Sequence, residues 1–168
     1  MADSRTRHDF PAAALLIVAG TIALMVGVGT RAIDLGLTIG PENLHHWFSW
    51  AGALFIALFT PVFYVLNRRR GERHNALLGA HVYGGLLAIA LVSAHFTQHV
   101  TRPAAFYPDL GTGVVLYAAV VLSAMTGFLI RYRLVSKGAR HWRALHTGAA
   151  VTFYLTIVVH VMRGLGIL

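Results

Sequence analysis

Four histidines stand in apolar stretches at one repeated interval: His81 and His95 are fourteen residues apart, and so are His146 and His160. Fourteen residues is almost four turns of α-helix, so the second member of each pair returns to within about 40° of the first, about 21 Å further along the axis. Each pair thus offers two imidazoles on one helix face at two depths. No Asp, Glu, Lys or Arg occurs between Ala76 and Thr101, and an ionisable side chain inside such a span is costly enough to mark function by default. A lone buried histidine is more often hydrogen-bonded glue between helices. Two equal intervals point further, to two haems, each with iron clamped by one histidine from each helix: His81 with His146, and His95 with His160.

The neighbouring residues agree with that chemistry. Along the face of the first pair lie Gly85, Ala88 and Val92; Gly85 and Ala88 offer little bulk, as flat porphyrins require, although small residues equally let two helices touch. The sequence has no cysteine, which excludes haem attached through Cys-x-x-Cys-His and iron–sulfur clusters held by cysteines alone. Any haem is therefore b-type. Iron with two imidazole ligands keeps no open position, so the expected chemistry is single-electron transfer. Each ligating ring should donate its second N–H to a carbonyl or hydroxyl, for which Ser93 and Thr147 are near in sequence. Arg73, Arg140 and Arg143 on one side, and Arg102 and Arg163 on the other, are placed to pair with propionates.

The elements that must position these rings are membrane helices. Of 168 residues 57% are hydrophobic and 12% charged, and the mean hydropathy is +0.64, which leaves almost no room for a soluble domain. The expected fold is all-α, one membrane domain over residues 1–168, with spans at about 11–30, 46–66, 76–100, 110–130 and 142–162. The second helix is expected to begin near Pro41, carrying His45 and His46 in its opening turns, with Trp47 and Trp50 in an interfacial belt and a kink at Pro61. Asn75 is a plausible cap for the third span. The fourth span has no histidine and reads as scaffolding, with Gly111, Gly113 and Gly127 serving helix ends and close packing.

A net charge of +8 raises nucleic acid as a partner, but the basic residues cluster in short loops between spans, which is topology. The N-terminus and the second and fourth loops hold 11 Lys and Arg, against 3 in the first loop, third loop and C-terminus. The N-terminus is accordingly expected in the cytoplasm and the C-terminus outside, in a bacterial or archaeal plasma membrane. Spans three and five then run parallel, with His81 and His146 near the cytoplasmic side and His95 and His160 near the outer side. His99 is one turn beyond His95 and competes with it as a ligand, but its place beside Thr101-Arg102-Pro103 makes His95 the better match in depth.

This arrangement resembles two-haem membrane cytochromes b, particularly the ferric reductase-like transmembrane domain, whose third and fifth helices carry paired histidines at similar intervals. His141-Trp-Arg-Ala-Leu-His146 followed by His160 looks like the start of that family's second ligand helix. Five-helix cytochrome b subunits of respiratory oxidoreductases are similar too. The resemblance implies an electron-transfer subunit of a redox complex, working between quinone, a partner redox subunit or a soluble carrier and an acceptor across the membrane. The alternative is a stand-alone membrane reductase or oxidase acting at an exposed haem edge. Many ferric reductase-like proteins add a flavin- and nicotinamide-binding domain that this sequence does not contain, so the subunit is the expected form. The outer mouth gathers His45, His46 and His99 with Asp34, Glu42, Tyr107 and Asp109, a possible contact site for a quinol, a metal or a redox partner.

Overall fold

Residues 10–69, 75–101, 110–135 and 138–168 are described by a computed structural model. The N-terminal lead and parts of the second, third and fourth loops, including Arg73, Arg102, Tyr107 and Asp109, lie outside the described residues. Five helices follow one another: α1 (Phe10–Gly29), α2 (Leu44–Arg69), α3 (Asn75–Val100), α4 (Leu110–Arg131) and α5 (Ala139–Gly164). All five are long and apolar enough to cross a membrane, and only 6% to 22% of each span's apolar window is buried within the protein. Leu16, Leu58 and Leu155 are each at least 65% exposed. So much outward apolar surface is stable against lipid and costly in water. The protein is an all-α integral membrane bundle.

The chain divides into two compact units, Met1–Gln98 and His99–Leu168, with the boundary in the last turn of α3. In the first unit, Val28, Leu35 and Ala94 form a small core joined by Leu24, Leu44 and Phe48. The loop after α1 folds back onto it: the Ile33 N–H donates to the Gly27 carbonyl at 2.9 Å, and a Cβ at Gly27 would collide with the Ile33 side chain.

The start of α2 differs from the expectation. Gly40 and Pro41 turn a small antiparallel hairpin, β1 (Thr38–Ile39) with β2 (Glu42–Asn43), and Gly40 takes a φ of 64° that glycine adopts without a Cβ penalty. The helix begins at Leu44. Its first N–H groups have no partners inside the helix; here the carbonyls of Leu37 and Leu35 accept from Leu44 and His45 at 2.8 and 3.2 Å, and the Trp47 indole N–H donates to the Ile39 carbonyl at 2.9 Å. His45 and His46 stand in the opening turn as expected, but a hairpin holds them there rather than a proline. The helix continues through Pro61.

Helices α2 and α3 run antiparallel in close contact. A Cβ at Gly52 would lie 2.6 Å from the Ala88 carbonyl oxygen, so the bare backbone at 52 is what lets the helices approach. Phe55 fills the space over Gly84. In the second unit, α4 and α5 form an antiparallel hairpin of their own. Gly138, with a φ of 78°, stands at the N-cap of α5, and its carbonyl accepts from the N–H groups of His141 and Trp142.

Candidate functional site: two pairs of anchored histidines

Each of the two helix hairpins carries one of the repeated histidine pairs on its second helix, and the first helix of the same hairpin grips the rings. In the second unit the grip is polar. His146 Nδ1 is 2.9 Å from the Ser123 carbonyl oxygen and 3.2 Å from Thr126 Oγ1. A carbonyl can only accept, so Nδ1 carries the proton and Nε2 presents the lone pair. The Thr126 hydroxyl donates to the Leu122 carbonyl at 2.7 Å, which leaves its oxygen to accept from the ring. Ser123 Oγ beside it is buried with no hydrogen-bond partner, a polar atom that a bound group or water would complete.

Fourteen residues back along α4, the arrangement repeats. Thr112 Oγ1 is 3.1 Å from His160 Nδ1. After each threonine comes a glycine against the ring: a Cβ at Gly127 would crowd His146 Cε1 at 3.1 Å, whereas one at Gly113 would meet His160 Cε1 at an ordinary contact distance of 3.4 Å. The Thr-Gly pairs at 112–113 and 126–127 are thus the counterpart of the histidine pair across the hairpin. The fourth span, expected to be scaffolding, positions both rings of α5. The groups that hold these two Nδ1 atoms come from α4, across the hairpin, rather than from the hydroxyls nearest the histidines in sequence, Ser93 and Thr147. The signal was present in the interval itself, since Thr112 and Thr126 are spaced like the histidines they hold.

In the first unit the grip comes mostly from rings. The His81 imidazole stacks on Phe63 of α2, with centroids 4.2 Å apart and planes within 8°. His95 Nδ1 lies 3.2 Å from His45 Nδ1, and His45 is fully buried. One proton fits between two such nitrogens, so one ring donates and the other accepts. Ala88 is buried with its carbonyl against Gly52, while the space above Gly85 is open.

The structure also brings His45, His46 and His99 together, and adds His95 to them. One donor atom from each of the four lies within 4.8 Å of the others. Glu42 reaches His46 from the hairpin, Oε2 to Nδ1 at 2.6 Å. Asp34, in contrast, turns to its own loop and accepts from the Gly36 N–H at 2.8 Å.

Fold and site together define a membrane helix bundle with anchored histidine pairs. The particular family is not supplied by comparison: no family model, characterised protein or solved structure matches the chain.

Proposed function

We propose that this protein is a two-haem b-type membrane cytochrome, similar to the ferric reductase-like transmembrane domain, working as an electron-transfer subunit between quinone or a partner redox protein and an acceptor on the other side of the membrane. The observation that carries the reading is the fixed tautomer of His146, whose Nδ1–H is held by the Ser123 carbonyl so that Nε2 is the ligating nitrogen. Metal-bound histidines usually donate their second nitrogen in this way, and a threonine hydroxyl of α4 meets Nδ1 of both α5 histidines.

The donor set fits haem. Nitrogen ligands inside apolar helices, with no cysteine in the chain, suit iron porphyrin held through imidazoles alone. His81 with His146 would hold one haem and His95 with His160 the other, an assignment that rests on their equal intervals and on the loop charges, which put the N-terminus in the cytoplasm. Haem with two imidazole ligands supplies one-electron transfer and no open site for oxygen. The chain's own contribution is to orient. Thr126 and the Ser123 carbonyl hold His146, Thr112 holds His160, Phe63 sets the plane of His81, and His45 faces the Nδ1 of His95. Of the cations assigned to propionates, Arg140, Arg143 and Arg163 are in the second unit, where each is also explained by topology.

The test is a reduced-minus-oxidised spectrum of the purified full-length protein, with a pyridine haemochrome assay for stoichiometry. Two b haems per chain are expected. A protein that purifies folded without haem, and takes up none when supplied with it, would leave the histidines as packing groups.

A further inference from the structure

We propose that His45, His46, His95 and His99 form a binding site for a first-row transition-metal ion of the zinc or copper class, where the start of α2 meets the end of α3. This site is separate in chemistry from the haem reading, although it shares His95 with it.

Three features of the cluster point to an ion. His95 and His99 are one turn apart on α3 and present two imidazoles on one face, a spacing that suits a single metal. The His45 and His95 Nδ1 atoms are 3.2 Å apart. Zinc–nitrogen bonds of about 2.0–2.1 Å in a tetrahedron put neighbouring ligand nitrogens about 3.3 Å apart, so this contact already has the length of one tetrahedral edge. The four donor atoms fall within 4.8 Å of one another, so binding an ion would require the side chains to turn inward to reach that edge length.

The third feature is Glu42. Its carboxylate on His46 Nδ1 at 2.6 Å leaves Nε2 as the donor toward an ion and forms the carboxylate–histidine arrangement typical of metal sites. It also supplies one negative charge against the ion's two positive ones. His45 is fully buried and its three companions are half-buried, so an ion there would be largely withdrawn from water. A donor set made only of imidazole nitrogen favours copper and zinc over magnesium and calcium, which take oxygen. The hairpin β1–β2 explains why the cluster forms: it carries Glu42 and its flanking carbonyls hold the first turn of α2.

A neutral imidazole has a single nitrogen lone pair to give, its other nitrogen carrying the proton, so His95 serves one centre at a time. The ion is therefore the occupant of the protein that lacks the outer-side haem, and the two compete.

The experiment is equilibrium dialysis of the full-length protein in detergent against Zn2+, with metal counted by mass spectrometry, for the wild type and for His160→Ala. The latter removes the second proposed haem ligand and leaves the cluster intact. The expected result is one Zn2+ bound by His160→Ala and less by haem-replete wild type, with no uptake of Mg2+. Glu42→Gln in that background should weaken binding about 10- to 100-fold, and His46→Gln or His99→Gln should weaken it at least as much, while His141→Gln leaves it unchanged. Circular dichroism checks that each variant keeps its helices. These half-buried positions are used because His45, at the core, is the substitution most prone to misfold. Equal Zn2+ binding by wild type and His160→Ala, lost with His46→Gln and His99→Gln, supports the ion site and counts against His95 as a haem ligand. No bound Zn2+ in either parent, or binding untouched by His46→Gln and His99→Gln, overturns the proposal. Haem content is assayed separately, so failure of the haem reading is seen independently.

Discussion

The two helix hairpins solve the same problem with different materials. In α4–α5, each histidine is held through Nδ1 by a threonine hydroxyl, and in one case also by a backbone carbonyl. In α2–α3, one histidine lies flat on a phenylalanine and the other faces a second histidine. A carbonyl cannot change its role, so the ring it holds has one tautomer. A histidine facing a histidine has two, because the shared proton can reside on either. At His146 the second unit therefore fixes which nitrogen is presented, and the first keeps an option open at His95. That difference is what lets His95 enter both the proposed haem pair and the proposed ion site.

The comparison breaks most visibly if the histidines are not ligands. His146→Ala is expected to remove one haem and leave the other, and His160→Ala the reverse, so haemochrome content falls to about half in each. The rings are about 21 Å apart along α5 and are assigned to separate proposed pairs. The matching substitutions His81→Ala and His95→Ala should each remove the same spectral component as their partner. Loss of one shared component by both His81→Ala and His95→Ala would overturn the pairing.

Next in size is the polar grip. Thr112→Val takes away the hydroxyl on His160 Nδ1 and is expected to weaken retention of that haem about 10- to 100-fold, read by the rate of haem transfer to an apoprotein acceptor. Thr126→Val should cost less, because the Ser123 carbonyl still holds His146. Equal losses would mean that the carbonyl contributes nothing.

The glycines give a finer contrast. An Ala at 127 brings a methyl to 3.1 Å from the His146 ring and an Ala at 113 one to 3.4 Å from the His160 ring. Gly127→Ala is thus expected to disturb the spectrum of its haem, and Gly113→Ala to leave its partner nearly unchanged. In the first unit, Gly52→Ala meets the backbone carbonyl of Ala88 rather than a flexible side chain, and overpacking of this kind typically costs about 1–3 kcal/mol. A lower melting temperature in detergent, larger than that caused by Gly84→Ala against the yielding Phe55 ring, is the expected readout.

Much of the fold was legible in the sequence because membrane spans obey a strict local rule. A chain with no water around it must satisfy its backbone internally, so uninterrupted apolar stretches of about 20 residues become helices, and all five appear within a few residues of the expected limits. The histidine interval was legible for the same reason, since helical periodicity turns spacing into direction.

What neighbouring helices do to one another was not. The interval of Thr112 and Thr126 matches that of the histidines but does not by itself say that they hold the rings of α5, because hydroxyls in apolar helices usually bond their own turn, as Thr152 does to the Gly148 carbonyl. The fourteen-residue repeat of Thr-Gly acquires meaning only once α4 lies antiparallel to α5. The hairpin at Gly40-Pro41 likewise replaced a proline-started helix, because the carbonyls of Leu35 and Leu37 satisfied the first N–H groups from outside the helix. The gathering of His45, His46, His95 and His99 is a tertiary fact in the strict sense. About fifty residues separate its halves, and the packing of α2 against α3, close at Gly52, brings the buried ring of His45 to His95.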